Sequence, residues 1–276
     1  MFNQIKAEAY KLIKNKSTYI TLIVCCVMFL LVLLMGNANS TGGFYMGQYI
    51  DFVDDVPVMN GFLGFIYEDR DNPMMWEIIY SAMTFSGFLW IPLLAISTSF
   101  YLNEYKNNTM RLFVAYGKNQ FTMLISKLIV IVFYYAVIYM FFCLAALFYV
   151  SAQMDFSITS ETLLYTLKFI CLNYLMYIVL TFYLFFLCIL IKNNIIVLTI
   201  MIIYGFSQIL LTMATLGREN IFLNLYNHLN PIYYVYIAGS FWADSSVTIN
   251  ILLFFICAIT IVSSASYILL KKQELK

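Results

Sequence analysis

The chain offers little to bond-making chemistry. Of its 276 residues one is histidine, His228, so a two-histidine H-E-x-x-H zinc pattern is excluded. His228 stands among Asn224, Asn227 and Asn230, a setting that fits a hydrogen-bonded structural residue better than a general base. No G-x-x-x-x-G-K-[ST] phosphate loop is present. The nearest fragment is Gly117-Lys118, with Asn119 after it and Leu112 where the first glycine belongs. G-x-S-x-G is also missing. The six cysteines lie in apolar stretches and read as small helix residues, neither a disulfide framework nor a metal set. The expectation is a chain with no catalytic residue, no metal site and no cofactor of its own.

Composition shows what holds the remaining polar groups. Hydrophobic residues make up 63% and charged residues 11%, against roughly 45–50% and about 25% in soluble globular domains. Fifteen Lys and Arg against fourteen Asp and Glu give no excess that would suggest nucleic acid as a partner. Six charge-free windows approach the about 20 residues that cross a bilayer as a helix: 18–35, 78–101, 128–150, 169–191, 194–216 and 247–270. They are continuous, not alternating, which rejects a transmembrane barrel. The apolar run after the basic start is also long for a signal peptide and lacks a nearby A-x-A site. The fold class expected is therefore an all-α polytopic membrane protein, one transmembrane domain over 1–276, with outer loops at 36–74 and 217–246.

Charge orients the spans. With the N-terminus inside, 12 of the 15 basic residues fall in inner segments, leaving only Arg70, Lys168 and Arg218 outside. This is the positive-inside pattern, with both termini cytoplasmic. A seventh span over 221–243 would break it and would place Asn224, Asn227, His228, Asn230 and Pro231 in lipid. That stretch reads instead as an outer re-entrant helical pair broken at Pro231. At depth the polar residues are neutral. Asn173 and Gln208 either line a cavity or hydrogen-bond between helices.

Two inner segments carry further signals. In residues 1–16, Phe2, Ile5, Ala9, Leu12 and Ile13 recur at helical spacing, with Lys6 and Lys14 between them. That is an amphipathic helix suited to the inner leaflet. The inner loop 102–120 is far longer than a connector needs. Within it 109–116 reads as a short helix, capped at its start by Asn108 or Thr109 and ended at Gly117.

The loop holds Asn103-Glu104, then Thr109-x-Arg111, a Gly117-Lys118 turn, and Lys127 opening the next span. The chain begins Ile5-Lys6-Ala7-Glu8-x-Tyr10-Lys11-Leu12-x-Lys14-x-Lys16. In these motifs, and in the spans and outer Asn230-Pro231, the chain resembles the type-2 permease subunits of bacterial ABC transporters. Among them it is most similar to exporters of phenol-soluble modulins and permeases giving immunity to lantibiotics in Gram-positive bacteria. The resemblance implies a dimer, with a second copy or a paralogue, in the bacterial cell membrane. ATP and Mg would be bound by a separate cytoplasmic ABC ATPase. Glu104, Thr109, Arg111, Leu112, Phe113 and Tyr116 would belong to the coupling helix, and Lys192 to a second contact. The substrate implied is an amphipathic or antimicrobial-type peptide. The other readings are a peptide-binding or immunity protein that does not transport, and a channel or secondary transporter.

Overall fold

The structure, a computed structural model, describes residues 2–36, 46–53, 56–62, 73–83, 87, 89–106, 120–214, 221–238 and 245–274. The chain opens with α1 (Phe2–Lys14) and turns at Asn15 into α2 (Lys16–Gly36). Asn15 makes this corner. Its side-chain oxygen accepts the Ser17 N–H at 3.1 Å, an N-cap bond for α2. The Thr18 hydroxyl donates back to the Leu12 carbonyl.

Residues read as an outer loop contain an antiparallel hairpin, β1 (Met46–Val53) and β2 (Val56–Phe62). Among the described residues the fold is helical, as expected, apart from this one β-hairpin in what was expected to be a plain outer loop. The acids Asp51, Asp54 and Asp55 suggest a solvated loop. They sit in or between two runs of β-branched and aromatic residues joined by two residues, which is a hairpin signature. A bulge between Tyr49 and Asp51 shifts the register.

The window 78–101 is not one helix either. It divides into α3 (Met75–Met83) and α4 (Trp90–Lys106). In a continuous helix Pro92 would lose a hydrogen bond and clash with the carbonyl four residues earlier. A restart at Trp90 puts it in the first turn, where its missing N–H costs nothing. Glu77 closes the start of α3, its carboxylate accepting the Met74 N–H at 2.7 Å.

Then come α5 (Gln120–Gln153), α6 (Ser160–Ile191), α7 (Asn194–Ala214), α8 (Ile221–Leu229), α9 (Pro231–Ile237) and α10 (Ser245–Glu274). Three of these, α5, α6 and residues 246–272 of α10, are long and apolar enough to cross a membrane. Shorter apolar stretches lie at 16–27 and 194–208. At 1.5 Å per residue α5 and α6 run about 50 Å, well beyond the ~30 Å hydrocarbon core. Both therefore start earlier than their apolar windows. Thr159 supports the early start of α6, its hydroxyl accepting the Thr162 N–H at 3.2 Å.

The core lies along α5 and α6. α1 and α3 pack on α5, α4 and α10 on α6, and α7 beside α4 and α6. β2 runs along α9 and β1 reaches α7, so the hairpin sits over the α8–α9 end.

Candidate functional site

Cross-helix contacts gather one set of helix ends. Phe121 at the start of α5 meets Tyr267 near the end of α10 at 5.2 Å between ring centroids. Tyr101 of α4 meets Phe185 of α6 at 4.5 Å. α1 lies across the same end, which therefore holds α1 and the last turns of α10, together with Lys11, Lys14, Lys16, Lys192, Lys271 and Lys272. This is the basic end of the bundle.

Its centre is an ion pair that the sequence did not suggest. Glu8 of α1 and Lys127 of α5 meet at 2.8 Å with both side chains 1% exposed. Lys11 reaches the other oxygen of Glu8, also at 2.8 Å. Lys127 Nζ donates to the Phe100 carbonyl at 3.5 Å and lies 4.1 Å from the Phe100 ring centroid, so it also binds the end of α4. The carboxylate thus has two cations, and the ammonium has a carboxylate, a carbonyl and an aromatic face. Such saturation is what makes a buried charge tolerable.

α1 carries two apolar faces, not one. Leu12 is buried and Ile5 packs against the core, flanking Glu8. Phe2 and Ile13 point outward, as does Tyr10. Lys6 lies over the Phe2 ring at 4.7 Å and Lys14 over Tyr10 at 5.8 Å. At 100° per residue the outward stripe sits roughly 100° from the inward one. The set Phe2, Ile5, Lys6, Leu12, Ile13 therefore divides between protein and surroundings.

Of the residues expected to contact an ATPase, Glu104 falls in the last turn of α4. Thr109, Arg111, Leu112, Phe113 and Tyr116 lie outside the described residues. Lys192 is exposed in the two-residue turn between α6 and α7. It adopts a left-handed backbone, φ 54°, with its N–H on the Cys188 carbonyl at 3.1 Å. Asn193 then caps α7, its side chain accepting the Ile195 and Ile196 N–H groups at 3.1 and 3.3 Å.

At the opposite end α8 and α9 form a helical pair broken at Asn230-Pro231. Gln208 belongs to this tip. Its Nε2 donates to Asn227 Oδ1 at 2.9 Å, and its Oε1 accepts from Asn230 Nδ2 at 3.3 Å. Asn230 also donates to the Tyr226 hydroxyl at 3.1 Å and caps α9 through Ile232 N–H at 3.0 Å. Ser207 and Tyr226 pair through their hydroxyls. The Tyr204 hydroxyl donates to the Leu229 carbonyl at 3.3 Å. The tip thus reaches Tyr204, about 15 Å along α7 from Ala214. Asn227 and Asn230, expensive in lipid, find hydrogen-bond partners within the protein. Asn173 is elsewhere: fully buried in α6, its Nδ2 on the Phe169 carbonyl at 3.2 Å, its Oδ1 without a hydrogen-bond partner among the described residues. Of the two, Gln208 hydrogen-bonds between helices and Asn173 within its own.

Between the ends the bundle is aromatic. Tyr135, Tyr139, Tyr174 and Tyr177 form a cluster with centroids 5.2–6.4 Å apart. The Tyr135 hydroxyl donates to the Leu89 carbonyl at 2.7 Å, just where α3 gives way to α4. The next residue, Trp90, presses on α7 at Gly205, where a side-chain carbon would come within 2.4 Å of the indole ring. Among the described residues no group of three or more His, Cys, Asp or Glu could hold a metal ion.

A family model described as ABC-2 family transporter protein matches residues 4–208, from α1 to Gln208. No curated protein matches the chain significantly.

Proposed function

Because the chain belongs to the ABC-2 transporter family and is the membrane component of such a transporter, we propose that it is the permease subunit of an exporter for amphipathic peptides. A separate cytoplasmic ATPase binds ATP and Mg and docks at the basic end. Six crossings, by α2, α3–α4, α5, α6, α7 and α10, put both termini in the cytoplasm of a bacterial cell, as the positive-inside rule favours. The inner loop 102–120, which begins on the last turns of α4 and includes Glu104, is the coupling element, with Lys192 as the lesser contact. Two such chains, identical or paralogous, enclose the path, and the outward stripe of α1 lies in the inner leaflet.

The observation that carries the substrate class is the distribution of buried charge. Among the described residues the buried charged side chains are Glu8 and Lys127 at the basic end and Glu77 at the start of α3. Between them the buried polar groups are Ser, Thr, Asn, Gln and Tyr. A coupled ion or proton carrier needs ionisable groups at depth. An amphipathic peptide needs adaptable apolar and aromatic walls with neutral hydrogen-bonding groups.

The test is co-purification with a candidate ATPase, followed by ATP hydrolysis and peptide transport in vesicles. Amphipathic peptides should stimulate both. Phe113→Asp should release the ATPase, since docking helices bury an apolar face. ATP hydrolysis by the purified chain alone, or stimulation only by an inorganic ion or sugar, would refute the reading.

A further inference from the structure

We infer that Glu8 and Lys127 are a positioning pair: a buried latch that holds α1 in one rotation against the ends of α4 and α5, and through which movement of those ends reaches α1. The role of α1 in transport rests on the function proposed above, whereas the latch itself does not.

Three observations carry the inference. First, the partners are 119 residues apart and both 1% exposed, so the pair is tertiary and dry. A surface pair would add little and would be screened. Second, the pair joins three elements. Glu8 lies on α1, Lys127 on α5, and the Phe100 carbonyl and ring beneath Lys127 on α4. α4 and α5 flank the segment 107–119, so any force applied there reaches Phe100 and Lys127 within a few turns. Third, the inward face of α1 is otherwise thin. Leu12 is its one buried apolar residue, with Ile5 and Ala9 packed partly against the core. Apolar packing alone would hold the helix weakly, and its outward apolar stripe of Phe2, Tyr10 and Ile13 would compete for the same contacts. The carboxylate removes that ambiguity, because only one rotation places it on Lys127.

Glu8→Gln leaves the buried Lys127 ammonium without its carboxylate. Lys127→Met leaves Glu8 with Lys11 alone, a half-exposed cation that lets the carboxylate turn to water. Either should therefore release α1. Lys127→Arg keeps a cation for Glu8 and for the Phe100 carbonyl and ring, and should stay latched. A double apolar replacement, Glu8→Leu with Lys127→Met, should keep thermal stability yet leave the rotation unspecified.

The experiment places a spin label at position 10 in a variant with the six cysteines changed to alanine, reconstituted in phosphatidylglycerol vesicles. Accessibility to oxygen in the lipid and to a nickel chelate in water is read without any ATPase. The latched protein should show one immobile, lipid-facing population. Glu8→Gln or Lys127→Met should lower the ratio of latched to released protein at least about a hundredfold, the penalty for a broken buried pair expressed as an equilibrium constant. Lys127→Arg should keep it. The second readout is peptide moved per ATP in the full complex, which should fall in these two and in the apolar variant and hold in Lys127→Arg. If Glu8→Gln does not insert, Lys127→Arg and the apolar pair decide the matter alone. Unchanged accessibility in Glu8→Gln, Lys127→Met or the apolar variant, or its loss in Lys127→Arg, overturns the latch. Normal accessibility changes with no ATP-dependent transport in the wild type would instead overturn the exporter reading and leave the latch standing.

Discussion

Changing Gly205 to alanine puts a methyl carbon 2.4 Å from Trp90 Cη2 and 2.8 Å from Cζ2 and Cζ3. Carbon atoms in good contact sit about 3.5–4.0 Å apart, so the indole or the helix must yield by about 1 Å. The ring has nowhere easy to go. It is fully buried, and Phe206 stands edge-on at 5.6 Å. Overpacking of this kind costs about 1–3 kcal/mol. Against it stands the helix propensity of alanine over glycine, up to about 1 kcal/mol in water. That gain shrinks in a bilayer, where the segment stays helical whether or not it is packed. The clash should win, with a net loss of about 1–2 kcal/mol. Trp90→Phe tests the cause. It removes the colliding atoms and by itself leaves a void, so it too should destabilise. In that background Gly205→Ala fills the void and should stabilise. Thermal unfolding of the four proteins in detergent gives the coupling as a double-mutant cycle. An equal fall in stability from Gly205→Ala in both backgrounds would refute a contact between Gly205 and the Trp90 ring.

Asn230→Ala removes the α9 cap, about 1 kcal/mol, and two bonds worth about 0.6 kcal/mol each in membrane proteins. Asn230→Ser keeps a cap and should lose about half as much, read as the shift in thermal unfolding. Lys192→Gly relieves a left-handed backbone that costs a side-chain-bearing residue about 1–2 kcal/mol. The turn should gain stability while peptide-stimulated ATP hydrolysis falls, and unchanged hydrolysis would remove Lys192 from the ATPase contact. A cysteine at Ser40 should react with an impermeant thiol reagent outside intact cells, and one at Gln273 should not; the opposite result would invert the topology.

Much of this was legible because two signals are local. An uninterrupted apolar run must become helix in lipid, and α5, α6 and α10 follow from that alone. Asn230-Pro231 marked a break, since proline suits the first position of a helix and asparagine the cap before it. Pro92 carried a similar signal inside the window 78–101, but composition dominated and the division into α3 and α4 went unread. The hairpin was hidden by acids at Asp51, Asp54 and Asp55, whose charge outweighed the β-forming residues beside them.

What the sequence determined by itself was membrane residence and a family resemblance, because each depends on composition and motifs along the chain. Tertiary structure decided which polar groups are partners. Glu8 read as one acid in a basic amphipathic helix until Lys127, 119 residues away, closed on it at 2.8 Å. Gln208 and Asn173 looked alike in sequence, yet one holds the α8–α9 tip and the other is buried in α6 with an oxygen that has no partner among the described residues. Helical periodicity shows which residues share a face. It does not show what that face meets, because the partner comes from a distant part of the chain and the low-dielectric interior makes that choice of partner decisive.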